Sequence, residues 1–73
     1  MKGIKISNFN RSFAMFLMAM DTTFTYSYNR IFVGTTSDVE KFKNWCLRSG
    51  VRESEINEMS FEFVEDIEDA IYL

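Results

Sequence analysis

Histidine is absent from this sequence, which removes the commonest general base and the one side chain that titrates near neutral pH. Cys46 is the sole cysteine, so no disulfide can staple the chain, and one Cys without any His cannot supply a structural zinc site. Glycine is scarce and scattered (Gly3, Gly34 and Gly50), which leaves no phosphate-cradling loop. The longest uncharged apolar run, Phe13 to Met20, falls far short of the roughly 20 residues needed to span a bilayer. No membrane partner is expected.

That run does follow Lys2, Lys5 and Arg11, which loosely resembles the layout of a signal peptide. Cleavage there would leave about 50 residues, short of what a cysteine-poor domain needs. Asn10-Arg11-Ser12 fits the glycosylation pattern, but that matters only in a secreted protein. A lone thiol suits a reducing compartment, so the expected location is intracellular, cytoplasmic, including the cytoplasm of a virus's host.

What the chain does have is apolar bulk. Of its 73 residues, 47% are hydrophobic, with eight Phe, three Tyr, one Trp and five Met. Each large aromatic buries roughly 150–250 Å², so a few of them build a core in one small domain spanning 1–73. A chain this short buries only about 60% of its unfolded surface, and a homodimer interface is a second source of stability open to it.

The pattern reads as α+β: an antiparallel or mixed sheet of three to four strands packed by one main helix. Residues 2–8 alternate as a strand, with Ile4 and Ile6 on one face. Asn8-Phe9-Asn10 reads as a turn. Residues 11–20 are apolar all round, so periodicity leaves helix and buried strand both open, although propensity favours the helix. Two strands follow at 22–27 and 30–35 around a turn at Asn29, with Phe24 and Tyr26 alternating against Thr23, Thr25 and Ser27 as in a half-buried strand.

Residues 38–48 carry the clearest signal. Ser37-Asp38-Val39-Glu40 fits a capping box with Ser37 as the cap. Val39, Phe42, Trp45 and Cys46 share one face, Lys41, Lys43 and Arg48 lie away from it, and Gly50 is placed to end the helix. Met59 to Val64 alternates as a strand with Met59, Phe61 and Phe63 inward. A helix through Ile56, Met59, Phe63, Ile67 and Ala70 is the competing reading. Asp66 to Leu73 opens like a short C-terminal helix, with a strand at 69–73 as the alternative.

Charge is divided along the chain. All eight basic residues lie at or before Arg52, and eight of the eleven acids lie after it, so the first 52 residues carry +5 and the last 21 carry −8. The acidic third either covers a basic face of its own molecule or stays exposed to meet a basic partner. A chain of this size has no room for an enclosed site, so its working surface is its outside. Glu58, Glu62, Glu65, Asp66, Glu68 and Asp69 are therefore the candidate partner-binding residues. Glu65, Asp66, Glu68 and Asp69 also offer oxygens to a divalent cation, but the spacing and mid-loop glycine of an EF-hand are missing, and no metal is expected.

No catalytic residue and no cofactor are expected. Acid pairs such as Glu65 and Glu68 lie in a charged, wet stretch where nothing separates their pKa values. Cys46, beside Trp45 on an apolar helix face, reads as an inert core thiol, and Met15, Met18 and Met20 as core filling. Phe24, Tyr26 and Tyr28 could stack bases, against the plainer reading of core or cross-strand pairs.

The reading that follows is a non-enzymatic interaction protein, an inhibitor or regulator that engages another protein's basic surface, such as that of a nucleic-acid-binding protein, and has no small-molecule substrate. Virus-encoded inhibitors of host defence, including those that block nucleic-acid-binding nuclease complexes, share this size and charge; the likeness goes no further. The alternatives are a nucleic-acid-binding regulator using the basic N-terminal half, or a subunit of an obligate assembly.

Overall fold

The computed structural model describes residues 2–65. Seven elements follow one another: β1 (Gly3–Ser7), α1 (Arg11–Ala19), β2 (Thr25–Ser27), β3 (Arg30–Val33), α2 (Val39–Arg48), α3 (Glu53–Glu58) and β4 (Ser60–Val64). The fold is α+β. The four described strands form one antiparallel sheet in the order β2-β3-β1-β4, so β1 is interior and β4 lies beside it.

Register sorts the strand residues between two faces, because residues directly opposite each other share a side. Ile4 lies opposite Val33 and Phe63, and Ile6 opposite Ile31 and Phe61. Onto this face pack Phe13 and Leu17 of α1, Phe42 and Cys46 of α2, and Ile56 of α3. Val51 and Met59 close the core between and after the last two helices. Five rings form a closed circuit within this layer. Phe13 meets Phe61 (6.2 Å between centroids), Phe61 meets Phe42 (6.1 Å), Phe42 meets Trp45 (5.6 Å), Trp45 meets Phe16 (5.5 Å), and Phe16 returns to Phe13 (5.9 Å). Aromatic pairs at such separations contribute about 0.5–1.5 kcal/mol each beyond area burial. They give this small core its cross-links.

Residues 11–19 are helical, which resolves the ambiguity left by their uniform apolarity. Asn10 is the N-cap, its side-chain oxygen accepting from the Phe13 amide at 2.9 Å. Once the helix is fixed, its 100° step decides burial. Phe13 and Leu17 face the sheet, while Met15 and Met18 point away and are 58% and 65% exposed. Met20 is exposed as well. The expectation that these three methionines fill the core is therefore corrected.

Both longer helices end in the same way. Past α1, Asp21 takes a left-handed conformation (φ 56°), with Asp21 N–H donating to the Met18 carbonyl and Thr22 N–H to that of Leu17. Past α2, Gly50 does so (φ 110°), and Val51 N–H reaches the Cys46 carbonyl while its side chain enters the core. The start of α2 departs from expectation by one residue: Asp38, not Ser37, is the N-cap, its carboxylate accepting from the Lys41 amide at 3.0 Å. A carboxylate adds charge to the cap hydrogen bond at the positive end of the helix dipole.

Residues 53–58 form α3, a helix the sequence pattern does not predict, and the competing long helix through Met59 and Phe63 is not formed. Glu53 and Glu55 sit in its first turn, where negative charge is favourable, and Ile56 anchors it. Met59 is buried as the residue that closes α3 rather than as a strand residue. In β4, Phe61 joins the ring circuit, but Phe63 is exposed although it shares the inner face: among the described residues β4 lies at the edge of the sheet, and none of the described helices covers that corner. The hairpin strands are shorter than expected. Phe24 precedes β2 and packs against the core, whereas Tyr26, expected on the same face of a half-buried strand, is exposed.

The opposite face of the sheet carries Lys5, Phe32 and Glu62 in one cross-strand row. Lys5 Nζ pairs with Glu62 Oε2 at 3.0 Å. Phe32 is only 1% exposed, and its ring tip occupies the space a side chain at Gly3 would need: a Cβ there would lie 2.7 Å from Phe32 Cζ and collide with the Val33 carbonyl oxygen.

Candidate interaction surfaces

The carboxylates of the acidic third divide three ways. Glu62 is engaged by Lys5 across the sheet, as an intramolecular pair. Glu58, at the end of α3, and Glu65, just past β4, are exposed, and among the described residues neither takes part in an ion pair. Asp66, Glu68 and Asp69 lie outside the described residues, as do the expected C-terminal helix and the alternative strand at 69–73. Glu53, not among the residues the sequence singles out, is exposed in the first turn of α3 and joins Glu58 on one short element. Among the described residues no cluster of three or more His, Cys, Asp or Glu is placed to hold a metal ion. No helix there is long and apolar enough to cross a membrane.

A second surface is built by two turns. The β1–α1 turn passes through Asn8 (φ 60°), and the β2–β3 hairpin turns on Tyr28 and Asn29 (φ 52° and 60°). Two consecutive left-handed residues between the paired Ser27 and Arg30 define a type I′ hairpin turn, whose twist matches that of the strands. The turns enclose an open cleft of about 540 Å³, to which α1 contributes Arg11 and Ala14 and β3 contributes Arg30. Among the described residues no carboxylate lines it. Tyr26 is held in place there: its hydroxyl donates to Asn29 Oδ1 at 3.0 Å, and its ring meets Phe9 edge-on at 5.8 Å. Tyr28 at the hairpin tip is 73% exposed. Of the three aromatics that sequence reading names as stacking candidates, the two tyrosines are thus displayed and Phe24 is not.

A smaller cleft, about 330 Å³, lies between the end of α1 and the start of α2. Phe42 and Trp45 form its apolar side, and Thr22, Thr23, Thr35 and Thr36 are among its lining residues. Cys46, next to Trp45 in α2, is fully buried, and desolvation pushes its thiol up to about 11 despite an opposing backbone hydrogen bond. Such a thiol stays protonated at neutral pH and is a poor nucleophile. No polar or charged side chain is buried among the described residues, so neither cleft contains a desolvated acid–base pair.

Comparison with protein-family models, with curated proteins and with solved structures finds no match to this chain.

Proposed function

We propose that this domain is a non-enzymatic protein-interaction module, an inhibitor or regulator that presents its acidic C-terminal third to a basic surface on another protein. The observation that carries the reading is the exposure of Glu53, Glu58 and Glu65 without ion pairing among the described residues, while the sheet itself consumes Glu62. Exposed like charges gathered in one stretch of chain steer encounter with an opposite patch and raise association rates at low salt. Surfaces that bind nucleic acid are strongly basic, so a nucleic-acid-binding protein is the partner class, as it would be for an inhibitor of a nuclease complex.

The test is affinity capture from nuclease-treated extract, with mass-spectrometric identification and a salt titration. The wild type should retain one defined basic protein that elutes as salt rises. Glu53→Lys/Glu58→Lys/Glu65→Lys should lose it while keeping a native circular-dichroism spectrum. Equal retention by the folded triple variant would remove the acidic surface from the account.

A further inference from the structure

We infer that the cleft between the β1–α1 turn and the β2–β3 hairpin binds single-stranded nucleic acid, a base stacking on Tyr28 while Arg11 and Arg30 face the phosphates. This site is separate from the acidic surface proposed above.

Backbone conformation gives the first argument. The leading central position of a type I′ turn demands φ > 0, and Asn, Asp or Gly meet that demand at little cost. Here it is filled by tyrosine at φ 52°, with a ring that is 73% exposed and has no partner among the ring contacts of the described residues. A bulky residue held in a strained conformation without packing in return is the pattern of a recognition element.

Electrostatics gives the second. The chain is net negative, yet the cleft brings together guanidinium groups from positions 11 and 30, and among the described residues no carboxylate lines it. Local charge of this sign selects an anionic ligand.

Chemistry of the lining gives the third. Among the described lining residues Ala14 is the one aliphatic group, so the cleft offers little to a peptide's aliphatic side chains. What the cleft presents instead is tyrosine rings, guanidinium planes and the amides of Asn8 and Asn29. Aromatic faces stack any base, and amides reach base edges that are free only in an unpaired strand. The ring of Tyr26, tied to Asn29 and Phe9, is already ordered before a ligand arrives.

Fluorescence anisotropy on the full chain tests this, using a labelled mixed-sequence single-stranded 12-mer, as DNA and as RNA, at about 50 mM salt. Binding should weaken about tenfold in Tyr28→Ala, persist in Tyr28→Phe, and weaken in Arg11→Gln. Two phosphate contacts predict that log K falls with log salt at a slope of about −1.4. Tyr28→Asn keeps the turn favourable, so its loss of binding separates the ring's role from folding. Absence of binding, undiminished binding by Tyr28→Asn, equal binding of the corresponding duplex, or displacement by an acidic peptide at matching concentration would each overturn the inference. Failure here leaves the acidic-surface reading standing, because Glu53, Glu58 and Glu65 take no part.

Discussion

Replacing Tyr28 with asparagine should make the domain more stable. The tyrosine sits at φ 52°, in the left-handed region, where an ordinary L-residue pays about 1–2 kcal/mol and asparagine much less. Against that gain stands whatever the ring contributes by packing, and a side chain that is 73% exposed contributes little. The difference should be close to 1 kcal/mol in favour of the variant, equivalent to a rise in Tm of about 4–8 °C for a domain of this length. Thermal melts followed by circular dichroism, confirmed by urea denaturation with an unchanged m-value, would measure it. A variant with an unchanged or lower Tm would refute the claim that the turn is strained, and with it the argument that the ring is kept for contact with something outside the fold.

Gly3→Ala should destabilise by about 3 kcal/mol, because the new methyl meets the Val33 carbonyl and the Phe32 ring in the middle of a sheet that has no slack to give; the urea midpoint would report it. Asp38→Ala should cost about 1 kcal/mol by removing the cap on the Lys41 amide, whereas Ser37→Ala should be nearly silent, and equal losses in the two would put the cap elsewhere. Cys46 makes stability fall at high pH. Its thiol ionises near 9 in the unfolded chain and near 11 when folded, so above 9 the unfolded state loses the proton first and the contribution present below 9 disappears between those values. The decline should be shallower in Cys46→Ala, as measured by denaturant titrations at about pH 8 and pH 10.5.

How far sequence reading carried depended on whether an element's evidence is local. The 38–48 helix was legible because Phe42 and Cys46 recur at helical spacing and Gly50 supplies the left-handed stop. Its cap was displaced by one residue because Ser37 and Asp38 are both good caps, and only packing sets the register. Residues 11–19 carry apolar groups on every side, so periodicity was silent until the sheet existed to select Phe13 and Leu17 over Met15 and Met18. The helix at 53–58 escaped notice because six residues with one anchor, Ile56, leave too few turns to show a period. Of the candidate acidic residues, Glu58 and Glu65 are exposed, which the charge pattern alone left open, and Glu62 is tied down by a lysine far away in sequence. The cleft was illegible for the same reason: Arg11 and Arg30 meet only when two turns are set side by side.

The interior placement of β1 governs the order in which this molecule can be completed. Its first strand takes one neighbour from the middle of the chain and the other from near its end, so Ile4 waits for Phe63 across almost the full length of the polypeptide. Until that late pairing forms, β1 offers one flank of unmatched amides and carbonyls beside Ile4 and Ile6, an adhesive edge on a newly made chain. Such distant pairing slows folding and lengthens that exposure, so crowding during synthesis should favour clumping before the last strand docks. A segment that supplied Ser60 to Val64 from outside would find its berth already shaped.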